Sequence, residues 1–203
     1  MTKIKFTQGE LKRQRDLLKQ YERFLPTLQL KKQQLQLELN NQILVLETYR
    51  SRRDQMTQEI IVWMGLPEES KIVMNEIVIP RQVFITSRNI AGVDIPVFDR
   101  VEFGPIEYDL FSTPLWLDHA TKLFMDYIAL LFQVEALQQG MELLKRELLI
   151  TTQRVNLFEK IKIPETQENI RLIKIYIGDQ LAASIGRSKL VKRRSKVRVR
   201  KVA

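Results

Sequence analysis

The feature that most constrains the fold is a heptad pattern between residues 116 and 158. Thirteen positions, spaced alternately four and three residues apart, carry twelve apolar side chains, and the exception is Thr151. The positions are Trp116, Ala120, Leu123, Tyr127, Leu130, Val134, Leu137, Met141, Leu144, Leu148, Thr151, Val155 and Phe158. A helix with so narrow an apolar stripe must bury it against another helix.

A second stripe with the same spacing runs from Leu11 to Trp63, and twelve of its sixteen positions are apolar. A pattern sustained over this length predicts a coiled coil. With a rise of ~1.5 Å per residue, a helix over residues 8–64 would be about 85 Å long. Pro26 lies inside it, and because the heptad phase is the same on both sides we predict a kink in one helix. The alternative is a helix that begins afresh at Pro26.

A short β element is predicted between the two stripes. Gly65 and Pro67 are typical of a helix end, and Thr113 with Pro114 is typical of a helix start. Between them, β-branched runs from Ile72 onward flank the Gly-containing turn 89–96, which predicts a hairpin. Prolines at 96 and 105 place its second strand at a sheet edge.

The stripe that begins at Trp116 changes phase after Phe158. Its apolar set moves to Ile163, Ile170, Ile173 and Ile177, and Pro164 lies at the change. This pattern predicts a stutter with a kink near residue 164, and a helix that continues toward residue 181. Beyond residue 186 the basic run predicts a segment that is disordered on its own.

The predicted fold is mainly α. Residues 1–65 and 116–186 form one long antiparallel two-helix coiled coil, with the hairpin insert 66–115 at the end distal to the termini and a basic tail at 187–203. Two narrow stripes leave other apolar side chains on the outer faces, which suggests further partners. These outer residues include Leu37, Leu44, Ile61, Leu131 and Leu149.

Charge and composition exclude several kinds of site. The formal net charge of +9 belongs to the C-terminal segment, because nine basic residues and no acid follow Asp179, while the rest has equal numbers of each sign. There is no Cys, so the chain has no disulfide, thiolate nucleophile or zinc-thiolate site. No nucleophile motif accompanies the single His119, and no Gly-rich phosphate loop is present. We therefore expect no catalytic, metal or cofactor residues, and no apolar run approaches the ~20 residues of a membrane span.

Two motifs resemble a known family. The run from Arg154 to Glu159, followed by Ile163-Pro164 and then Ile170 and Ile173, is similar to the R-V-N-A-L-E…I-P…I-x-x-I signature. The stretch 89–96 is similar to an N-x-x-G-V-x-x-P turn. Both belong to the D subunit of vacuolar/archaeal-type rotary ATPases, whose helix–insert–helix layout this chain resembles over nearly its whole length.

The resemblance implies a non-catalytic central rotor shaft that transmits torque between a catalytic ring and an ion-translocating membrane ring. Its implied partners are the catalytic A and B subunits, the small F subunit and the C/d-type subunit that links to the membrane ring. It implies a cytoplasmic position, peripheral to a membrane without insertion, and no cofactor. The implied partner-binding residues are Asn89, Ile90, Gly92, Val93, Pro96, Arg154, Asn156, Glu159, Lys192, Arg193 and Arg194.

A second interpretation is a coiled-coil adaptor whose basic tail binds RNA or DNA. Such an adaptor needs neither a hairpin nor the R-V-N-x-x-E motif. The tail also lacks the interleaved aromatic side chains on which bases stack. Nucleic acid is therefore not the partner that the sequence predicts.

Overall fold

The computed structural model describes residues 5–64, 78–105 and 116–202. The elements are, in chain order, helix α1 (Gln8–Met64), strands β1 (Pro80–Ile90) and β2 (Val93–Phe103), helix α2 (Leu117–Leu157), a π-helical turn (Phe158–Lys162) and helix α3 (Ile163–Val202). The predicted mainly α fold with a β-hairpin between two long helices is confirmed. The predicted helix end at residues 65–67, the β-branched run at 72–77 and the helix start at 113–114 lie outside the described residues.

Helix α1 has a defined start and no interruption. The Thr7 hydroxyl accepts a hydrogen bond from the Glu10 backbone N–H at 3.3 Å, an N-cap that offsets one unpaired donor of the first turn. Pro26 lies inside the helix, which continues on both sides of it. The alternative of a helix that begins at Pro26 is therefore wrong. After the proline, the Thr27 hydroxyl donates to the Phe24 carbonyl at 2.8 Å.

The chain divides into two compact units, of which one consists of Lys31–Thr151. Within this unit α1 and α2 are antiparallel, because their contacts advance along one helix as they recede along the other. The Lys31 ammonium lies 2.7 Å from the Glu147 carboxylate, and farther along α1 the Thr57 hydroxyl lies 3.4 Å from the Tyr127 hydroxyl. Buried side chains between these two contacts include Leu46 and Leu130.

Both predicted stripes form the seam between the helices. All thirteen stripe positions from Trp116 to Phe158 are buried or half-buried, and so are the fifteen described positions from Leu11 to Ile60. Trp63, the last position of the first stripe, lies outside the described side chains. Every stripe position whose side chain the structure describes is therefore buried or half-buried, as the predicted seam requires.

The hairpin closes on a two-residue turn. Ala91 and Gly92 have φ angles of 50° and 82°, and positive φ at both central residues matches the right-handed twist of paired strands. Asn89 pairs with Asp94 and Ile90 with Val93, so these residues belong to the strands. The turn is therefore shorter than the stretch 89–96 predicted from sequence, because positive φ is needed at only two positions.

The tip of the hairpin packs on the helix pair. Leu35, Leu144 and Ile95 are 0%, 0% and 2% exposed and form one apolar cluster, around which Leu39, Ile90, Ala91, Val93 and Leu148 pack. A two-stranded ribbon is marginally stable alone, so it needs such a support. The helices therefore provide the core that the hairpin lacks.

The other unit consists of Met1–Leu30 and Thr152–Ala203. Its helices are also antiparallel. The Tyr21 ring contacts the Phe158 ring, with centroids 5.3 Å apart, and the Phe6 ring contacts the Tyr176 ring, with centroids 5.0 Å apart. The residue with the lower number on one side thus meets the residue with the higher number on the other. The buried side chains on α3 include Ile170 and Ile173. The apolar set predicted to follow the change of phase therefore faces inward.

The π-helical turn accounts for the change of phase. The Ile163 N–H donates to the Phe158 carbonyl, five residues back instead of four. One extra residue in this turn shifts the buried positions from the Val155 phase to the Ile170 phase. The turn ends two residues before Pro164, which lacks the N–H of a regular helical ladder.

Helix α3 continues through the basic run to Val202. The basic run, which the sequence predicts to be disordered on its own, is therefore helical as part of α3. Apart from the glycine at 186 and the β-branched valines, the run consists mostly of Lys, Arg, Leu and Ser, and Lys, Arg and Leu have good helix propensity. The predicted boundary at 186/187 is thus a change of charge within one helix.

Candidate partner-binding surfaces

Strand β2 is the inner strand of the hairpin. A Cβ built on Gly140 of α2 would lie 3.4 Å from the Ile95 Cβ and 3.8 Å from the Pro96 Cδ. Farther along, the described residues that line an open cleft belong to β2 and α2: Phe98, Asp99, Arg100, Val101, Phe103, Lys122, Met125, Asp126 and Ala129. Because later residues of β2 meet earlier residues of α2, the strand runs antiparallel along the helix.

Strand β1 is the outer strand. Five consecutive residues from Ile85 to Asn89 are exposed, so both of its faces are accessible there. The Phe84 ring lies under the Arg100 guanidinium at 4.5 Å, an interaction with β2 and not with the helices. Among the described residues, none outside the hairpin forms a backbone hydrogen bond with residues 85–90 of β1.

The predicted hairpin residues divide into two groups. Asn89 and Gly92 are exposed at the tip, where the Asn89 side chain donates to Asp94 at 2.6 Å and accepts from the Gly92 N–H at 3.1 Å. Ile90, Val93 and Pro96 are half-buried, and the first two pack against the Leu35–Leu144 cluster. The structure therefore assigns much of their apolar surface to an intramolecular contact.

The predicted residues Arg154, Asn156 and Glu159 are exposed around the start of the π-helical turn. They belong to the unit that contains Thr152–Ala203, whereas the hairpin belongs to the other unit. Two exposed apolar neighbours, Leu157 and Ile161, were not predicted. Their signal in the sequence is an apolar pair at i, i+4 that lies off the heptad stripe.

The predicted residues Lys192, Arg193 and Arg194 are exposed on α3. Leu190 and Val191 beside them are exposed as well, at 59% and 66%. This part of α3 thus presents basic and apolar side chains together.

The outer apolar residues predicted from sequence are confirmed as exposed. Leu37 and Leu44, at 64% and 62%, are spaced by one heptad on α1. Ile61, Leu131 and Leu149 are exposed too. Apolar side chains at such spacing form a row along a helix, which is a common docking surface for a partner.

Within the described ranges, no three or more His, Cys, Asp or Glu side chains are grouped so that they could hold a metal ion. None of the described helices is both long enough and apolar enough to cross a membrane.

Comparison with known proteins identifies the family. The family model for the D subunit of ATP synthase matches residues 10–193. The D subunit of the V-type ATP synthase of Borreliella burgdorferi is 40% identical over 195 residues, which cover 95% of each chain. The corresponding D subunits of Chlamydia trachomatis serovar L2 and of Chlamydia pneumoniae are 29% and 28% identical, and each match covers at least 94% of both chains. The long antiparallel helices, the intervening hairpin and these matches agree, and the chain belongs to the family of V-type ATP synthase D subunits.

Proposed function

We propose that the chain is the central rotor shaft of a V-type ATP synthase and has no catalytic role of its own. The observation that carries this proposal is the helix–helix seam, which runs antiparallel in both units. Twisting such a pair requires apolar side chains to leave the spaces between their neighbours, and close packing resists that movement. The pair is therefore suited to transmit torque.

The proposed partners follow from family membership and from the exposed surfaces. The catalytic A and B subunits would surround the end with the basic residues 192–194. The small F subunit would bind near the hairpin, and a C/d-type subunit would link the shaft to the membrane ring. The exposed apolar row with Leu37 and Leu44 supports a helical partner on the outer face of α1.

A reversible lock tests rotation. The chain has no native Cys, so Arg193→Cys introduces a single thiol on the exposed basic part of α3. We expect a disulfide between this thiol and a cysteine placed on the inner wall of the catalytic ring to stop ATP hydrolysis by the complex, and reduction to restore it. The matched control is the same variant assembled with a ring that lacks the cysteine. Full hydrolysis by the oxidised, cross-linked complex would contradict the shaft role.

A deletion tests the hairpin contact. Removal of residues 90–95 takes away the tip of the hairpin and no residue of a helix, so helicity measured by circular dichroism should change little. We expect the deleted chain to lose capture of the small F subunit in a pull-down. Undiminished capture would rule out the hairpin as its docking element.

A further inference from the structure

We propose that the outer edge of β1 is a docking site for one extended strand of a partner protein in the complex, which adds to the hairpin as a third strand and carries acidic side chains. This inference rests on the proposed incorporation of the chain into the complex. It differs from the hairpin contact proposed above because it assigns recognition to backbone groups of β1 instead of the tip residues.

The register of the hairpin shows which backbone groups are available. In a hairpin with a two-residue turn, the flanking residues form a hydrogen-bonded pair, and the pairs then alternate. Ile90 and Val93 flank the turn, so the pairs Asn89–Asp94, Ser87–Pro96 and Ile85–Phe98 are not hydrogen-bonded to each other. Their N–H and C=O groups point away from the partner strand.

The position of proline agrees with this assignment. Pro96 has no N–H, and the register places it at one of the pairs that do not exchange hydrogen bonds. It lies on the inner edge, within reach of Gly140 of α2. Where α2 covers the inner edge of β2, one backbone N–H fewer therefore needs a hydrogen-bond acceptor.

The outer edge has the opposite character. Ile85, Ser87 and Asn89 direct their backbone groups outward from β1, and all three residues are exposed. The register is regular over residues 85–90, beyond the irregularity at Phe84/Ile85. Charged side chains and Pro commonly protect a free edge, and this stretch contains no Lys, no Pro and a single charged residue, Arg88. Six residues in regular register match the usual length of a strand, about 5–6 residues.

Charge decides which strand fits. β1 contains Arg81 and Arg88 and no acid, whereas β2 contains Asp94, Asp99 and Glu102 with one Arg. A second copy of β1 would bring two more arginines without any acid to compensate them, and like charges facing each other across a strand pair destabilise it. A strand with Asp or Glu would instead gain favourable cross-strand pairs. The partner strand is therefore acidic and comes from a different chain.

Amide hydrogen exchange at single-residue resolution, on the chain alone and in the assembled complex, tests the proposal directly. In the free chain we expect fast exchange at Ile85, Ser87 and Asn89. In the complex, exchange at these three amides should slow by at least ~10-fold, as for amides that gain a stable hydrogen bond. Amides at Thr86 and Arg88 should be protected in both states.

Three outcomes of this measurement would overturn the inference. If the chain enters the complex and the outward amides stay fast, no strand is added, although the shaft proposal stands. If the chain never enters the complex, both proposals fail. If the outward amides are protected in the free chain and sedimentation shows a dimer, a second copy occupies the edge.

Variants at one position separate backbone from side-chain recognition. Ser87→Pro removes an outward N–H and leaves the hydrogen bonds within the hairpin, so we expect binding of the remaining subunits to weaken by ~10-fold or more. Ser87→Ala keeps the N–H and should bind within ~2-fold of the native chain. Equal loss in both variants would contradict a backbone contact. Retained protection at Thr86 and Arg88 in free Ser87→Pro verifies that the hairpin still folds.

A charge reversal tests the acidic character. Arg88→Glu should weaken binding by ~5-fold, with a smaller effect at high salt, because it places like charges across the new strand pair. The control is Arg52→Glu, which makes the same change at an exposed position on α1. Tighter binding by Arg88→Glu would show that the strand is basic and overturn the stated chemistry.

Discussion

Leu144 illustrates how a single seam residue supports both the helix pair and the hairpin. Its side chain is fully buried and contacts the cluster with Leu35 and Ile95. We predict that Leu144→Asp lowers the free energy of unfolding by about 3–5 kcal/mol, because it leaves an uncompensated charge in an apolar cluster. Leu149→Asp, on the same helix at 59% exposure, is the matched control and should change it by less than ~1 kcal/mol. Equal melting curves for both variants by circular dichroism would show that the seam is misassigned.

Gly140 lies where α2 comes close to β2. Among the described glycines, it is the one whose added Cβ would have the shortest contact. Its space admits a methyl group, since the added Cβ would meet Ile95 at an ordinary contact distance of 3.4 Å. Gly140→Ala should therefore raise the unfolding free energy by ~0–1 kcal/mol through helix propensity. A larger side chain would push the hairpin away.

We predict that Gly140→Leu lowers the unfolding free energy by about 1–3 kcal/mol and accelerates amide exchange at Ile95. Gly178→Leu is the control, because an added Cβ at that position meets nothing within 4 Å. Unchanged exchange at Ile95 would mean that the hairpin does not depend on close approach at Gly140.

At the scale of elements, the π-helical turn sets the phase of α3. Deleting Ile161, which is exposed, should convert the turn into a regular helical turn and keep Ile170 and Ile173 buried. Deleting the exposed Gln167 should instead rotate both isoleucines out by ~100° and cost about 3 kcal/mol. Both deletions belong in a Pro164→Ala background, so that the proline ring does not contribute to the difference.

Chemical unfolding followed by circular dichroism compares the two deletions. Stability close to that of the Pro164→Ala parent is expected for the Ile161 deletion alone. If the two deletions were equally harmful, the π-helical turn would not be the source of the phase change.

At the scale of the whole molecule, the charge distribution distinguishes the shaft from a nucleic-acid adaptor. The basic segment from Arg187 to Lys201 holds all of the excess positive charge. Exposed charge pairs contribute only ~0–1 kcal/mol each and can be exchanged, which suits a surface that turns inside a ring. Nucleic acid would instead impose a salt dependence of about 0.9 per neutralised phosphate in a plot of log K against log salt.

We therefore predict that removal of residues 187–203 weakens assembly of the chain with the catalytic ring, or the coupling of the chain to that ring. The small F subunit, which is proposed to bind near the hairpin, should stay bound. Ring reconstitution with the truncated chain measures the first effect, and a pull-down measures the second. Normal coupling without these residues, together with tight and salt-sensitive binding of RNA or DNA by the intact complex, would favour the adaptor.

The sequence determined what depends on local periodicity. An apolar residue at every third or fourth position places one stripe on a helix, so the seam from Leu11 to Ile60 and from Trp116 to Phe158 could be predicted position by position. The same rule showed that Leu37 and Leu149 lie outside the seam. The hairpin could be predicted because Gly92 permits positive φ between two β-branched runs.

Only the tertiary structure decided where the hairpin lies and which of its edges the described residues leave uncovered. Contact between Ile95 and Leu144 joins residues far apart in the chain, and no periodicity encodes it. Burial of that contact turned Ile90 and Val93 inward, although the sequence suggested them as partner-binding residues. The tertiary structure also places Gly140 where α2 comes close to β2. The heptad stripe does not predict this contact, because Gly140 lies off the stripe. The outward amides of β1 follow from the same placement, because a strand edge is free only where the fold leaves it uncovered.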